Sequence, residues 1–237
     1  MGSGIQPPTV QAAPGNPFSD VVKVLFEPTA VFERVRARPS FLAPFLTIIA
    51  LQCILFVVNL PYLKVAIQAQ MATAAPGRPT PSTGVLVGFG LGGLIFVLAL
   101  ILLLTGLILW VLSSVLGGGE AKFSTLLSVA AYAAVPSVIL LSVVGTIVIH
   151  LQGTGQLTSP NDLQPALGLD LLSPGAKGFL GAVLKAINPF SIWGVVLTAI
   201  GVSTTQRVSK GSGYTIAISA FVVGLLIAGA LGAAFNR

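Results

Sequence analysis

The side chains with any prospect of chemistry near an apolar stretch are few: Gln52, Cys53, Asn59, Tyr132 and His150. The carboxylates, Asp20, Glu27, Glu33, Glu120, Asp162 and Asp170, all fall outside the long apolar runs. Hydrolysis inside a membrane needs a Ser–His pair, an Asp pair or a His-rich metal motif. One His, one Cys and no acid within an apolar run exclude the last two. A Ser–His pair would require His150, which closes such a run, to face a deep serine. Metal-dependent phosphatidyl transfer needs clustered aspartates, and none are clustered here. The sequence thus points to no catalytic residue, no metal and no cofactor. Gln52 and Asn59 can still hydrogen-bond. Seven residues apart, they share one helical face, and in hydrocarbon such amides seek partners on a neighbouring helix, each worth about 0.6 to 2 kcal/mol. A helix-to-helix bond is the first reading and a substrate contact the second. Cys53 reads as a small packed hydrophobe and has no second cysteine to pair with.

These residues need apolar helices to hold them. The longest run is Gly84 to Leu116, about thirty-three residues without a charge; at helical rise it reaches about 50 Å, beyond the roughly 30 Å of hydrocarbon. It is too short for two spans and a turn, so one long tilted helix is expected, with Trp110 in the interfacial belt. The whole chain of 237 residues is 54% hydrophobic and only 8% charged, with mean hydropathy +0.97, against about 25% charge in soluble domains. An all-α polytopic membrane protein follows, with five transmembrane helices over about 41–60, 84–116, 125–149, 189–206 and 214–235. The net charge of +6 reads as membrane anchoring. Nucleic acid is a poor partner, since no basic cluster is interleaved with aromatics.

Residues 1–17, rich in Pro, Gly and small polar residues, read as a disordered tail rather than a cleavable signal. The remainder, 18–237, reads as a single membrane domain. Pro28 and Thr29 can open a short amphipathic helix carrying Val31, Phe32 and Val35 on one face. Arg34, Arg36 and Arg38 then precede the first span and are expected to contact anionic lipid, at roughly 1 kcal/mol per basic residue. Pro136 interrupts the third span and removes the amide that would bond the Tyr132 carbonyl. Tyr132 and Pro136 are therefore expected at a hinge, a cavity wall or a static kink. A second interfacial helix is expected after Ser173-Pro174, with Phe179, Leu180, Val183, Leu184 and Ile187 on one stripe. Small residues repeat every fourth position at Gly84, Gly88 and Gly92, and again at Gly224, Ala228 and Gly232. Such ridges let helices approach closely, and the two are expected to be able to meet.

Five spans place the termini on opposite sides. With the N-terminus inside, Lys23, Arg34, Arg36, Arg38, Lys122, Arg207 and Lys210 share that side, and Lys64, Arg78, Lys177, Lys185 and Arg237 the other. Seven against five, led by the cluster before the first span, favours a cytoplasmic N-terminus and an outside C-terminus.

Three blocks in order, FEPTAVFERVRARPSFLAPF, VLGGGEAKFSTLLSVAAYAAVP and NPFSIWGVVLTAIGVS, resemble the Yip family (the Ypt/Rab-interacting-protein domain), and its bacterial branch more than its eukaryotic one. The resemblance implies five spans, a cytoplasmic N-terminus and, for a bacterial member, the inner membrane. Eukaryotic relatives are associated with Rab-type GTPases. This chain has no long acidic or aromatic segment outside the membrane to form such a surface, which speaks against carrying Rab-type GTPase binding over.

The leading functional reading is a non-catalytic membrane protein that assembles with other membrane proteins, with itself, or organises the lipid around them. The alternative is a permease-like subunit for a neutral or lipid-like solute guided by Gln52, Asn59, Tyr132 and the Pro136 hinge. Ion-coupled transport is disfavoured because no ionised group lies in a span.

Overall fold

The computed structural model describes residues 15–74, 76–117 and 121–235. The tail expected over 1–17 lies mostly outside these residues. Every regular element among them is helical: α1 (Pro17–Lys23), α2 (Pro28–Ala37), α3 (Leu42–Ala74), α4 (Thr83–Leu116), α5 (Phe123–Ala133), a π-helical turn (Val135–Leu140), α6 (Leu141–Gln152), α7 (Gly178–Ala186), α8 (Pro189–Gln206) and α9 (Lys210–Phe235). Two 3₁₀ turns, Pro160–Leu163 and Leu169–Leu172, stiffen the loop before α7.

Four helices are long and apolar enough to cross a bilayer: α3, α4, the continuous Phe123–Gln152 stretch, and α9. α7 and α8, bent by 64° at their junction, pass the same test as a pair, which brings the candidate spans to as many as five. The bend sits at Asn188, whose side chain accepts from the Ser191 amide while Ser191 Oγ answers the Asn188 amide. Pro189 follows at the first helical position, where its missing amide costs nothing. The end of α8 returns to the N-terminal face, since Arg36 Nη1 donates to the Thr204 carbonyl at 3.4 Å. The chain is therefore an all-α polytopic membrane protein. The helix that holds the first span runs past residue 60: α3 continues through Pro61 to Ala74. A proline inside an apolar helix removes one backbone bond without ending the helix when neighbours support it.

At the N-terminal face the two short helices are structural parts of the bundle. Asn16 caps α1 by accepting from the Phe18 amide at 3.0 Å, and Pro17 opens it. Both residues fall in the stretch expected as tail, and both are instead part of a helix start. Val31, Phe32 and Val35 of α2 are fully buried, so the amphipathic face expected to meet lipid is docked on protein. Phe32 packs against Gly201 of α8, where an added Cβ would lie 2.6 Å from Val129 Cγ1 and 3.0 Å from the Phe32 ring. Around this contact Val21, Val24, Leu109, Leu126, Val129, Tyr132, Leu197, Val202 and Ile216 complete the core. Burial of one such side chain is worth about 1.5–3 kcal/mol against water, but between lipid-bathed helices the gain is close packing instead.

Candidate functional site

The third span is broken where Pro136 cannot donate a backbone bond. The helix widens there into the Val135–Leu140 π turn, and the Leu141 amide reaches five residues back to the Pro136 carbonyl. Both amides of the first span address the stretch just beyond the break. Gln52 Nε2 donates to the Val138 carbonyl and to Ser142 Oγ, each at 2.8 Å. One turn-pair further, Asn59 Nδ2 donates to Thr146 Oγ1 at 2.9 Å. Asn59 Oδ1 is buried without a partner. The pair sits on one face of α3, as the seven-residue spacing requires, and its partners are on a neighbouring helix.

Beside these bonds the helices separate into a half-open chamber of about 1580 Å³. Gln52, Leu55, Phe56 and Asn59 of α3 form one wall, Ser142 and Thr146 of α6 a second, and Leu94 of α4 a third. The loop over 158–178 and α7 close the mouth, bringing Asp162, Asp170, Lys177 and Lys185 to it. Sequence reading kept these charges out of the spans and did not place them beside Gln52 and Asn59. Partial burial pushes the Asp162 carboxyl up, but hydrogen bonds from Thr158 and Ser159 outweigh this and hold it below its ordinary value. Its Oδ2 accepts from the Thr158 amide at 2.7 Å and the Ser159 amide at 2.8 Å. Asp170 Oδ1 accepts from the Gly168 amide at 2.9 Å.

His150 stays outside the chamber lining. Its ring lies against Tyr62 with centroids 4.4 Å apart, and Nδ1 donates to the Thr146 carbonyl at 2.9 Å. Among the described residues no three His, Cys, Asp or Glu side chains are placed to hold a metal ion.

Tyr132 is not at the chamber. It is fully buried on the N-terminal side of the break, where its hydroxyl donates to the Pro17 carbonyl at 3.0 Å and lies 3.5 Å from Ser40 Oγ. Tyr132 and Pro136 thus do different work: one fastens the N-terminal helices, the other opens the span. The three arginines also divide. Arg34, expected at lipid, instead turns inward: its Nη2 and Nε bond the two oxygens of buried Asp20 at 2.6 and 3.0 Å. That hydrogen-bonded carboxylate raises the Arg34 pKa further. Arg36 and Arg38 remain exposed. Sequence reading missed the Asp20 partner, although Asn16-Pro17 ahead of it is a helix-start signal.

The two glycine ridges do not meet within one chain. Gly84, Gly88 and Gly92 have nothing within 4 Å of the Cβ position, so their face of α4 is open. Gly224 is open as well and borders an apolar crevice of about 280 Å³ between α4 and α9. Gly232 packs on Ala182 and Gly178 of α7, and Gly229, one residue past Ala228, receives the Phe179 ring. The C-terminal end of the α9 ridge, at Gly232, therefore serves α7.

A helical bundle with two short helices docked under one face and a bent pair ahead of its last helix defines a class of polytopic membrane protein. The Yip1 domain model matches residues 22–231, and the chain belongs to the Yip1 family. It is 28% identical over 208 residues to "Membrane protein YknW" of Bacillus subtilis (strain 168), covering 86% of this chain and 85% of that one. That match fits the bacterial branch of the family. No solved structure matches.

Proposed function

We propose that this protein is a non-catalytic integral membrane protein that assembles with other membrane proteins, or with a second copy of itself, through the first half of α4. The single supporting observation is the open face at Gly84, Gly88 and Gly92. Glycine every fourth residue gives lipid little to pack against and gives a partner helix close backbone approach. On α8 such positions are filled: Gly201 by Phe32, and Gly194 by the Ala133 carbonyl, 3.1 Å from its Cβ position. In this reading the N-terminal face, with Lys23, Arg36 and Arg38, lies at the cytoplasmic surface of a bacterial inner membrane. Replacing Gly88 and Gly92 together by Leu should cut crosslinked assemblies in native membranes severalfold while leaving the thermal midpoint in detergent unchanged. Undiminished crosslinking removes the interface.

A second reading, a permease-like subunit for a neutral or lipid-like solute, is favoured by the chamber. Its wall is built from Gln52 and Asn59 and from Ser137, Leu141 and Ser142, which follow the break at Pro136. Loss of solute movement on closing that break, tested as Pro136→Ala in proteoliposomes, is its expected signature.

A further inference from the structure

We propose that the chamber is a phospholipid-binding site, with acyl chain along the α3–α4 wall and phosphate at Lys177 and Lys185. The proposal rests on the second reading above and narrows its solute to a class.

Size is the first ground. A cavity of about 1580 Å³ exceeds the roughly 300–1,000 Å³ of sites for drug-sized ligands. The distribution of polar atoms is the second. Deep in the chamber the amide donors are already committed, Gln52 to Val138 and Ser142 and Asn59 to Thr146, and the Asn59 Oδ1 acceptor is the buried polar atom of these two amides left open. Ser191 Oγ bonds the Asn188 carbonyl at 2.8 Å, and Ser137 Oγ the Ala134 carbonyl at 3.2 Å. A sugar-like solute would lose its hydration there and gain few bonds in return, which is unfavourable. An acyl chain loses nothing, and Leu55, Phe56, Leu63 and Leu94 give it a wall. In that wall α3 and α4 close on each other, the Phe56 ring lying where Gly90 of α4 lacks a Cβ.

The third ground is charge at the mouth. Lys185 is only partly exposed, and among the described residues neither it nor Lys177 forms an ion pair. Asp162 and Asp170 share the mouth and attract Lys185 from beyond ion-pair distance, while their carboxylates accept from Thr158, Ser159 and Gly168. A partly buried ammonium wants an anion in contact, and a lysine serves phosphate as a point charge. An apolar wall below two unpaired ammonium groups matches a phosphate-headed lipid from tail to head.

The test uses the full chain in vesicles of phosphatidylcholine with a phosphatidylglycerol that carries a photoactivatable acyl chain. Label mapped by peptide mass spectrometry should concentrate on α3 around Phe56 and Leu63. The double variant Lys177→Gln, Lys185→Gln should lower that label severalfold and leave label at Phe89 and Phe96 of α4 unchanged, which also certifies that the variant is folded. Even labelling over all lipid-facing helices, or label at Phe56 indifferent to the double variant, overturns the proposal. So does displacement of the label by millimolar inorganic phosphate, because the ligand would then be the free anion. Translocation of a fluorescent phospholipid in the same vesicles is read separately: site-specific label without translocation retains the site and ends the permease reading.

Discussion

The half of the bundle beside the N-terminal helices and the half beside the long loops are made of the same apolar residues, yet only the first is closed. There, Phe32, Leu109, Leu126, Tyr132, Leu197 and Ile216 are wholly buried. Helices come together at glycines, Gly106 on Leu127 of α5 and Gly201 on Phe32 and Val129. The Asp20–Arg34 pair locks α1 to α2. In the other half α4 displays Val85, Phe89 and Phe96 outward, Gly84, Gly88 and Gly92 face open space, and the gap beside α3 is spanned by amide hydrogen bonds. Since lipid is as apolar as leucine, hydrophobicity cannot draw helices together; fit and hydrogen bonds must. One half has the fit. The other has the bonds and a chamber.

The largest effect should come from emptying the closed half. Phe32→Ala removes a ring of 0% exposure, and large-to-small changes of that kind cost about 3–5 kcal/mol. Phe89→Ala, at a ring 81% exposed, should stay within about 0.5 kcal/mol. Thermal unfolding of both variants in one detergent measures the contrast; equal midpoints would mean that the two halves are not differently packed.

Much of this architecture was legible because transfer into lipid acts on each residue where it stands. The runs that became α4, α8 and α9 were visible as hydropathy alone, and the Gln52–Asn59 face followed from their spacing. What was hidden depends on pairs distant in sequence. Phe32 and Gly201 look ordinary until α2 meets α8. The ridge on α9 announces a contact without saying that α7 is the partner. Asp162, Asp170 and Lys185 are plain charges between spans until the fold brings all three to one chamber.

A middle-sized effect tests whether hydrogen bonds hold the open half. Gln52→Leu deletes two bonds of 2.8 Å to the far side of the break and should destabilise by about 0.6–2 kcal/mol. It should also widen the distance between α3 and α6, read by spin labels on the two helices. A Gln52→Leu chain as stable as the parent with an unchanged distance would transfer the support of the open half to its loops.

The smallest effect lies at the chamber mouth and carries a sign. Asp162 is held below its ordinary pKa by the Thr158 and Ser159 donors, which bond only the ionised form well. A carboxyl that is more acidic folded than unfolded contributes its full stabilisation above the unfolded pKa of about 3.9, and the contribution fades as pH falls through the lower folded value. The Thr158–Leu163 turn should therefore hold from neutral pH down to about 4 and loosen in more acidic solution. Because the carboxyl is largely exposed, solvent screens the effect, and the loosening should remain local. Hydrogen exchange of the Thr158 and Ser159 amides measures it. In Asp162→Asn those amides should exchange fast at every pH, with the thermal midpoint nearly unmoved. A large midpoint shift in that variant would make the mouth part of the rigid structure and erase the difference between the halves at that end.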